Sequence, residues 1–187
     1  MMPIGPLMIE HRLIERMIRL LGECSDEAME HEKIAPVFVD TAVDFIRTYA
    51  DRTHHGKEED ILFRDLAAKD LSAEDRRVMQ ELVGEHVYAR KTVKELVEAN
   101  ERYRQGDDSA LATILAKTAA LVSLYPDHIA KEDKVFFPAA MTYLDRSEQD
   151  AMLQEMWEFD RRMIHKKYRS VVERLEQPDE RSRGTTL

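Results

Sequence analysis

Four histidines and two glutamates recur in this 187-residue chain at a nearly constant offset. Glu10-His11 is followed by His54-x-x-x-Glu58, and Glu85-His86 by His128-x-x-x-Glu132. His11 to His86 spans 75 residues; His54 to His128 and Glu58 to Glu132 span 74 each. The flanks repeat too, Lys57-Glu58-Glu59 with Ile61, Leu62 and Phe63 answering Lys131-Glu132-Asp133 with Val135, Phe136 and Phe137. Two such halves facing each other bring four imidazoles and two carboxylates to one spot, which suits two metal ions better than one. A carboxylate can bridge ions roughly 3.5–4 Å apart. Imidazole with carboxylate suits iron, and also manganese or zinc, and no thiolate accompanies the set to favour iron-sulfur or copper(I) chemistry. The spacing points to His11, His54, Glu58, His86, His128 and Glu132 as metal ligands, with Glu58 and Glu132 as bridges.

Helical spacing turns these groups inward. Leu7, His11, Ile14, Ile18 and Leu21 lie on one helix face, and Leu82, His86, Ala89, Val93 and Leu96 on another. His54, Glu58 and Ile61 share a third face, and Leu121, Leu124, His128, Glu132 and Val135 a fourth. A charge on a core stripe is costly unless it is paired or holds a metal, and two bare carboxylates brought together repel and partly protonate. A cation removes both difficulties. His55 lies about 100° from His54 on an α-helix, so the repeat selects His54. His31 lies beyond its helix's apolar stripe and is expected in solvent. His165 falls off the stripe Leu153, Trp157, Asp160, Ile164, Tyr168 and Val171, beside several arginines.

The elements that must position these residues are helices. With only 6 Gly and 6 Pro among long Ala-, Leu-, Glu-, Lys- and Arg-rich stretches, the chain is expected to be all-α. Five helices are predicted, over about 6–32, 35–69, 73–106, 109–144 and 147–177, with Ser72 and Ser147 as N-caps. Short breaks imply antiparallel neighbours in an up-down bundle. The repeat equals one helix pair, so two helix hairpins build four helices and the fifth is an addition. The expected organisation is one bundle over 1–177, with a metal-binding core at 6–144, an extra helix at 147–177 and a flexible tail at 178–187. Pro126, two residues before His128, is expected to kink the fourth helix. A net charge of -9 argues against nucleic acid as a partner, and no apolar run is long enough to span a membrane. One cysteine, Cys24, and no visible signal region lead to an expected cytoplasmic location.

With these motifs the chain resembles the hemerythrin-like, or HHE cation-binding, family. The likeness runs through Glu10-His11-Arg12, His54-x-x-x-Glu58-Glu59-x-x-Leu62-Phe63, Glu85-His86-x-x-x-Arg90 and His128-x-x-x-Glu132-Asp133-x-x-Phe136-Phe137-Pro138, over about 6–144. The resemblance implies a four-helix bundle holding two iron ions in a non-heme centre with carboxylate and oxo or hydroxo bridges. It also implies dioxygen binding, oxygen or iron sensing, or reduction of peroxide or nitric oxide. The chain departs from the oxygen carriers, which have a second histidine where Arg90 stands. The missing imidazole leaves an iron more open, or completed by water or by Glu59, Asp133 or His165, and that opening favours turnover. Ferritin-like bundles are set apart by their Glu-x-x-His order.

Three functions follow: a dioxygen-binding or oxygen- or iron-responsive protein; a di-iron enzyme acting on peroxide or nitric oxide; and a bundle in which the metal only staples the fold. The expected partner is a small diatomic or peroxide ligand, with a separate redox or signalling protein. Phe45, Phe63, Phe136, Phe137, Met17 and Leu124 are candidate pocket walls.

Overall fold

The computed structural model describes residues 1–161 and 164–177. The tail at 178–187 lies outside the described residues. Helix α1 is Ile4–His31. Helix α2 covers 36–67 as one continuous rod of mixed pitch: α-helical Pro36–Phe45, π-helical Ile46–His55 and Glu58–Phe63, and α-helical Arg64–Ala67. Helix α3 is Ala73–Arg104. Helix α4 covers 110–143, with Ala110–Lys131 α-helical, Glu132–Phe136 π-helical, then Phe137–Ala140 and a closing 3-10 turn, Met141–Tyr143. Helices α5, Arg146–Phe159, and α6, Ile164–Leu175, complete the chain. No strand occurs among the described residues.

Local chemistry sets the boundaries. Pro36 opens α2, where its missing N–H costs nothing. Ser72 Oγ accepts from the Asp75 N–H and caps α3. Gly106, at φ 94°, takes the left-handed turn between α3 and α4 that a side chain would strain. Asp145, not the expected Ser147, caps α5 through a reciprocal capping box with Glu148. The expected single fifth helix is two pieces. Asp160 ends the first and turns its carboxylate inward, to Lys57 Nζ at 2.6 Å. The broken rod no longer keeps one stripe: Tyr168 is buried, but Trp157 is 51% exposed.

Helix α1 packs on α2 and α4, and α3 on α2 and α4, closing an up-down four-helix ring. Helix α5 lies against the second half of α2, and α6 against α1 and α2. Two apolar clusters fill the bundle. One gathers Ile14, Met17, Phe45, Leu96, Leu121 and Tyr125, and the other Leu7, Leu62, Phe63, Leu82, Phe136 and Phe137. Each such side chain, fully buried, contributes about 1.5–3 kcal/mol. The ionisable residues form a buried layer between the two clusters. Pro126 sits inside the α-helical stretch of α4, which continues through it.

Candidate metal centre

All six predicted ligands are buried, and the structure brings them together. His11, His54, Glu58 and Glu132 form one donor group, and His55, Glu58, His86 and His128 a second. Within each group the ligand atoms lie within 4.8 Å of one another. Glu58 belongs to both. Its Oε1 lies 3.3 Å from His54 Nε2 and its Oε2 lies 3.4 Å from His86 Nε2. Glu132 mirrors it, with Oε2 at 3.1 Å from His11 Nε2 and Oε1 at 3.4 Å from His128 Nε2. Each carboxylate thus turns one oxygen to each half of the site, the disposition a bridging ligand needs.

His55 is the member that spacing missed. It is as buried as His54, and its ring stacks on His86 with centroids 3.8 Å apart. The 100° argument assumed an α-helix, but Ile46–His55 has π-helical pitch. A π turn carries an extra residue and re-aims the side chains around it. Neighbouring histidines can then both face inward. The same widening in Glu132–Phe136 turns Phe136 into the core and leaves the expected Val135 52% exposed. One signal in the sequence pointed to His55: Arg90 leaves an imidazole short, and His55 adjoins a ligand.

The four repeated histidines are oriented from behind by carboxylates. His54 Nδ1 donates to Glu10 at 2.8 Å and His128 Nδ1 to Glu85 at 2.8 Å. His11 Nδ1 donates to Asp133 at 2.7 Å and His86 Nδ1 to Glu59 at 2.6 Å. Each carboxylate is itself held by a cation: Glu10 by Lys57, Glu85 by Lys131, Asp133 by Arg12 and Glu59 by Arg90. Such outer partners fix the imidazole tautomer so that Nε2 presents its lone pair to a metal. Glu59 and Asp133 therefore steady ligands rather than join them. Arg90, in place of a histidine, also grips Asp51 at 2.7 Å. His165 stands apart, bonded to Tyr49 Oη at 2.9 Å and lying 3.1 Å from Asp160 and 3.4 Å from Glu10. The Lys57 ammonium already occupies that acidic corner. His31 is exposed, as expected.

Protons stand where cations would. His11 Nε2 and His54 Nε2 face each other at 2.9 Å, so one of them must carry a proton. Burial pushes His54 down, but Glu58 and Glu10 more than reverse this and raise it to about 9. Burial, and then the neighbouring Glu58, raise Glu132 well above the usual carboxylate range. Glu58 is also penalised by burial, but His54, His86 and His11 carry it well below that range. His55 and His128 are lowered, chiefly by burial. Among the described residues, no protein group hydrogen-bonds either oxygen of Glu58 or Glu132, either ring nitrogen of His55, or Nε2 of His86 or His128. Buried polar atoms in proteins are nearly always satisfied, so such a cluster pointing at one centre fits a cation pair held by five imidazoles and two bridging carboxylates.

The aromatic walls repeat as well. Phe137 stacks on His11 at 5.7 Å and Phe63 on His86 at 6.1 Å, and Phe136 meets Phe63 edge-on at 5.4 Å. Phe45 and Met17 belong to the other cluster, and Leu124 is only half-buried. No helix among the described residues is long and apolar enough to cross a membrane. The family model described as "Hemerythrin HHE cation binding domain" matches residues 2–140 and, in a second match, 82–183. No curated protein and no solved structure matches the chain.

Proposed function

The chain belongs to the hemerythrin HHE cation-binding family, and from that premise we propose a non-heme di-iron protein that binds dioxygen or responds to oxygen or iron. One observation carries this reading: the buried nitrogen and oxygen atoms of His55, Glu58, His86, His128 and Glu132 converge without protein partners. Seven donor residues exceed what a four-coordinate structural zinc takes. Two iron ions there would supply a pair of electrons to a small oxidising ligand. The chain's own contribution is to hold the imidazoles in one tautomer, neutralise the charge with Glu58 and Glu132, and exclude water with Phe63, Phe136 and Phe137.

Reduction of peroxide or nitric oxide is the second reading. Its support is an iron left open where Arg90 stands in place of a histidine, and the nearness of His55 to Glu58, His86 and His128 offers an imidazole for that half of the site. Binding or sensing is therefore favoured. A sensor or electron carrier of this kind would work with a separate redox or signalling protein. A reducing compartment such as the cytoplasm fits a chain with one cysteine. The test is metal analysis after expression with iron available, then anaerobic reduction and spectra after addition of dioxygen, peroxide or nitric oxide. Two irons per chain and a reversible dioxygen adduct are expected. Turnover of peroxide or nitric oxide would move the assignment to the second reading. About one zinc, with no iron uptake on reconstitution, would overturn the di-iron reading.

A further inference from the structure

The metal reading leaves one buried hydroxyl on α2 without a task. Tyr49 stands in the π-helical stretch Ile46–His55 and is 2% exposed. Its hydroxyl meets His165 Nδ1 at 2.9 Å. The other ring nitrogen, Nε2, lies 3.1 Å from Asp160 Oδ2 and 3.4 Å from Glu10 Oε1. Ionised carboxylates only accept, so Nε2 carries the imidazole proton, Nδ1 keeps its lone pair, and the Tyr49 O–H donates to it. Lys57 Nζ joins Asp160 to Glu10, and Glu10 accepts from His54 Nδ1 at 2.8 Å. A line of polar contacts thus runs from the phenol to a metal ligand. Burial, then Glu10 and Asp160, raise the Tyr49 hydroxyl above its ordinary range, so it rests as a neutral phenol.

We propose that Tyr49 is a redox-active tyrosine that supplies one electron to the metal pair when peroxide finds that pair half-oxidised, with His165 Nδ1 taking the phenol proton. The proposal rests on the di-iron reading and adds what guards the centre. Dioxygen that takes two electrons leaves as peroxide, so a dioxygen-binding pair meets this oxidant. Peroxide needs two electrons, and two protons from solvent, to become two waters. A half-oxidised pair gives one electron, and Tyr49 gives the other through the pair. The Tyr49 O–H bond breaks as its proton crosses to His165, leaving a neutral phenoxyl radical and an imidazolium that faces Asp160 and Glu10. The proton acceptor decides which tyrosine does this, because a phenol that loses an electron and keeps its proton is a cation, costly in a buried site. The Tyr125 ring lies 6.4 Å from that of His128, but among the described residues nothing hydrogen-bonds its hydroxyl. Tyr168 donates to Asp44 at 2.6 Å, but the Lys167 ammonium stands 4.8 Å from its ring centroid and opposes the loss of an electron. Phe45 and Tyr168 flank Tyr49, with ring centroids 5.1 and 6.1 Å away, and shield a radical there.

The test is freeze-quench electron paramagnetic resonance on the iron-loaded protein, fully reduced, returned to one electron per pair with ferricyanide, and mixed with hydrogen peroxide. A tyrosyl radical is expected in the wild type. Tyr49→Phe should abolish it with both irons retained, and Tyr125→Phe should leave it unchanged. His165→Ala removes a partly exposed side chain and with it the base, and should slow radical formation by at least about tenfold. The wild-type rate should also fall in deuterium oxide, because the proton moves with the electron. A wild-type protein that takes up no iron would overturn the di-iron reading and this proposal with it. With two irons bound, the absence of a radical, its survival in Tyr49→Phe, its loss in Tyr125→Phe, or a wild-type rate in His165→Ala would each overturn the role of Tyr49 and leave the di-iron reading standing. If Tyr49→Phe does not load iron, the rate in His165→Ala decides.

Discussion

His11 and His54 meet nitrogen to nitrogen, and Glu58 meets Glu132, so the metal-free centre must hold protons that the loaded centre expels. His54, raised to about 9, and Glu132, raised by burial, both bind protons more tightly in the folded chain than in the unfolded one. The stability this brings is complete below their unfolded pKa values and is lost as pH rises, from near 6.5 toward 9 for His54. The loaded protein has no such loss. Its melting temperature should therefore exceed that of the metal-free protein by a margin that widens from pH 6.5 to 9, and a constant margin in calorimetry would refute this assignment. Loading at pH 7.5, below the value of about 9 to which His54 is raised, should also release the His54 proton. His54→Ala and His128→Ala, pseudo-symmetric in the repeat, should each lose at least one metal by elemental analysis, while exposed His31→Ala should lose none. The six candidate side chains that the structure gathers were legible because the repeat of 74–75 residues marks them whatever the helix pitch. His55 was harder to read, because its inward aim comes from a widened turn and only the imidazole missing at Arg90 hinted at it.

That widened turn is a property of α2 as an element. The π-helical stretch Ile46–His55 adds a residue to a rod whose ends pack at ordinary pitch. Deleting Ala50, buried inside it, should let the stretch close as α-helix and swing His55 out of the site. Far-ultraviolet circular dichroism should stay helical while bound iron falls below two per chain. Retention of two irons with an unchanged spectrum would show that the pitch does not place His55. Elsewhere the elements were legible where polar punctuation was local. Ser72 and Gly106 bound α3 within two residues of expectation. The fifth helix misled because Leu153, Trp157, Asp160, Ile164, Tyr168 and Val171 read as one stripe in the sequence. The inward demand on Asp160 comes from Lys57, 103 residues away, and leaves no local trace.

Across the whole molecule the two hairpins match, but their surroundings differ. Lys57 and Lys131 occupy equivalent positions and hold equivalent glutamates. Asp160, His165 and Tyr49 close over the first, which is 0% exposed, while the second remains 27% exposed. Lys57→Met strands the buried carboxylate of Glu10 and the partly buried one of Asp160 and should cost about 3–5 kcal/mol in denaturant unfolding. Lys131→Met should cost less than about 1 kcal/mol, because its pair is open to water. Equal costs would mean that the C-terminal segment does not seal the first hairpin.

Because Glu58 and Glu132 each turn one oxygen to each half of the site, neither half is finished by its own residues. A first ion would displace the shared protons and set both carboxylates, so a second would find its donors already aligned. Loading should accordingly be all-or-none. At half-saturating iron, native mass spectrometry should show chains with no ion and chains with two, and few with one. A dominant single-ion species would mean that the two halves fill independently.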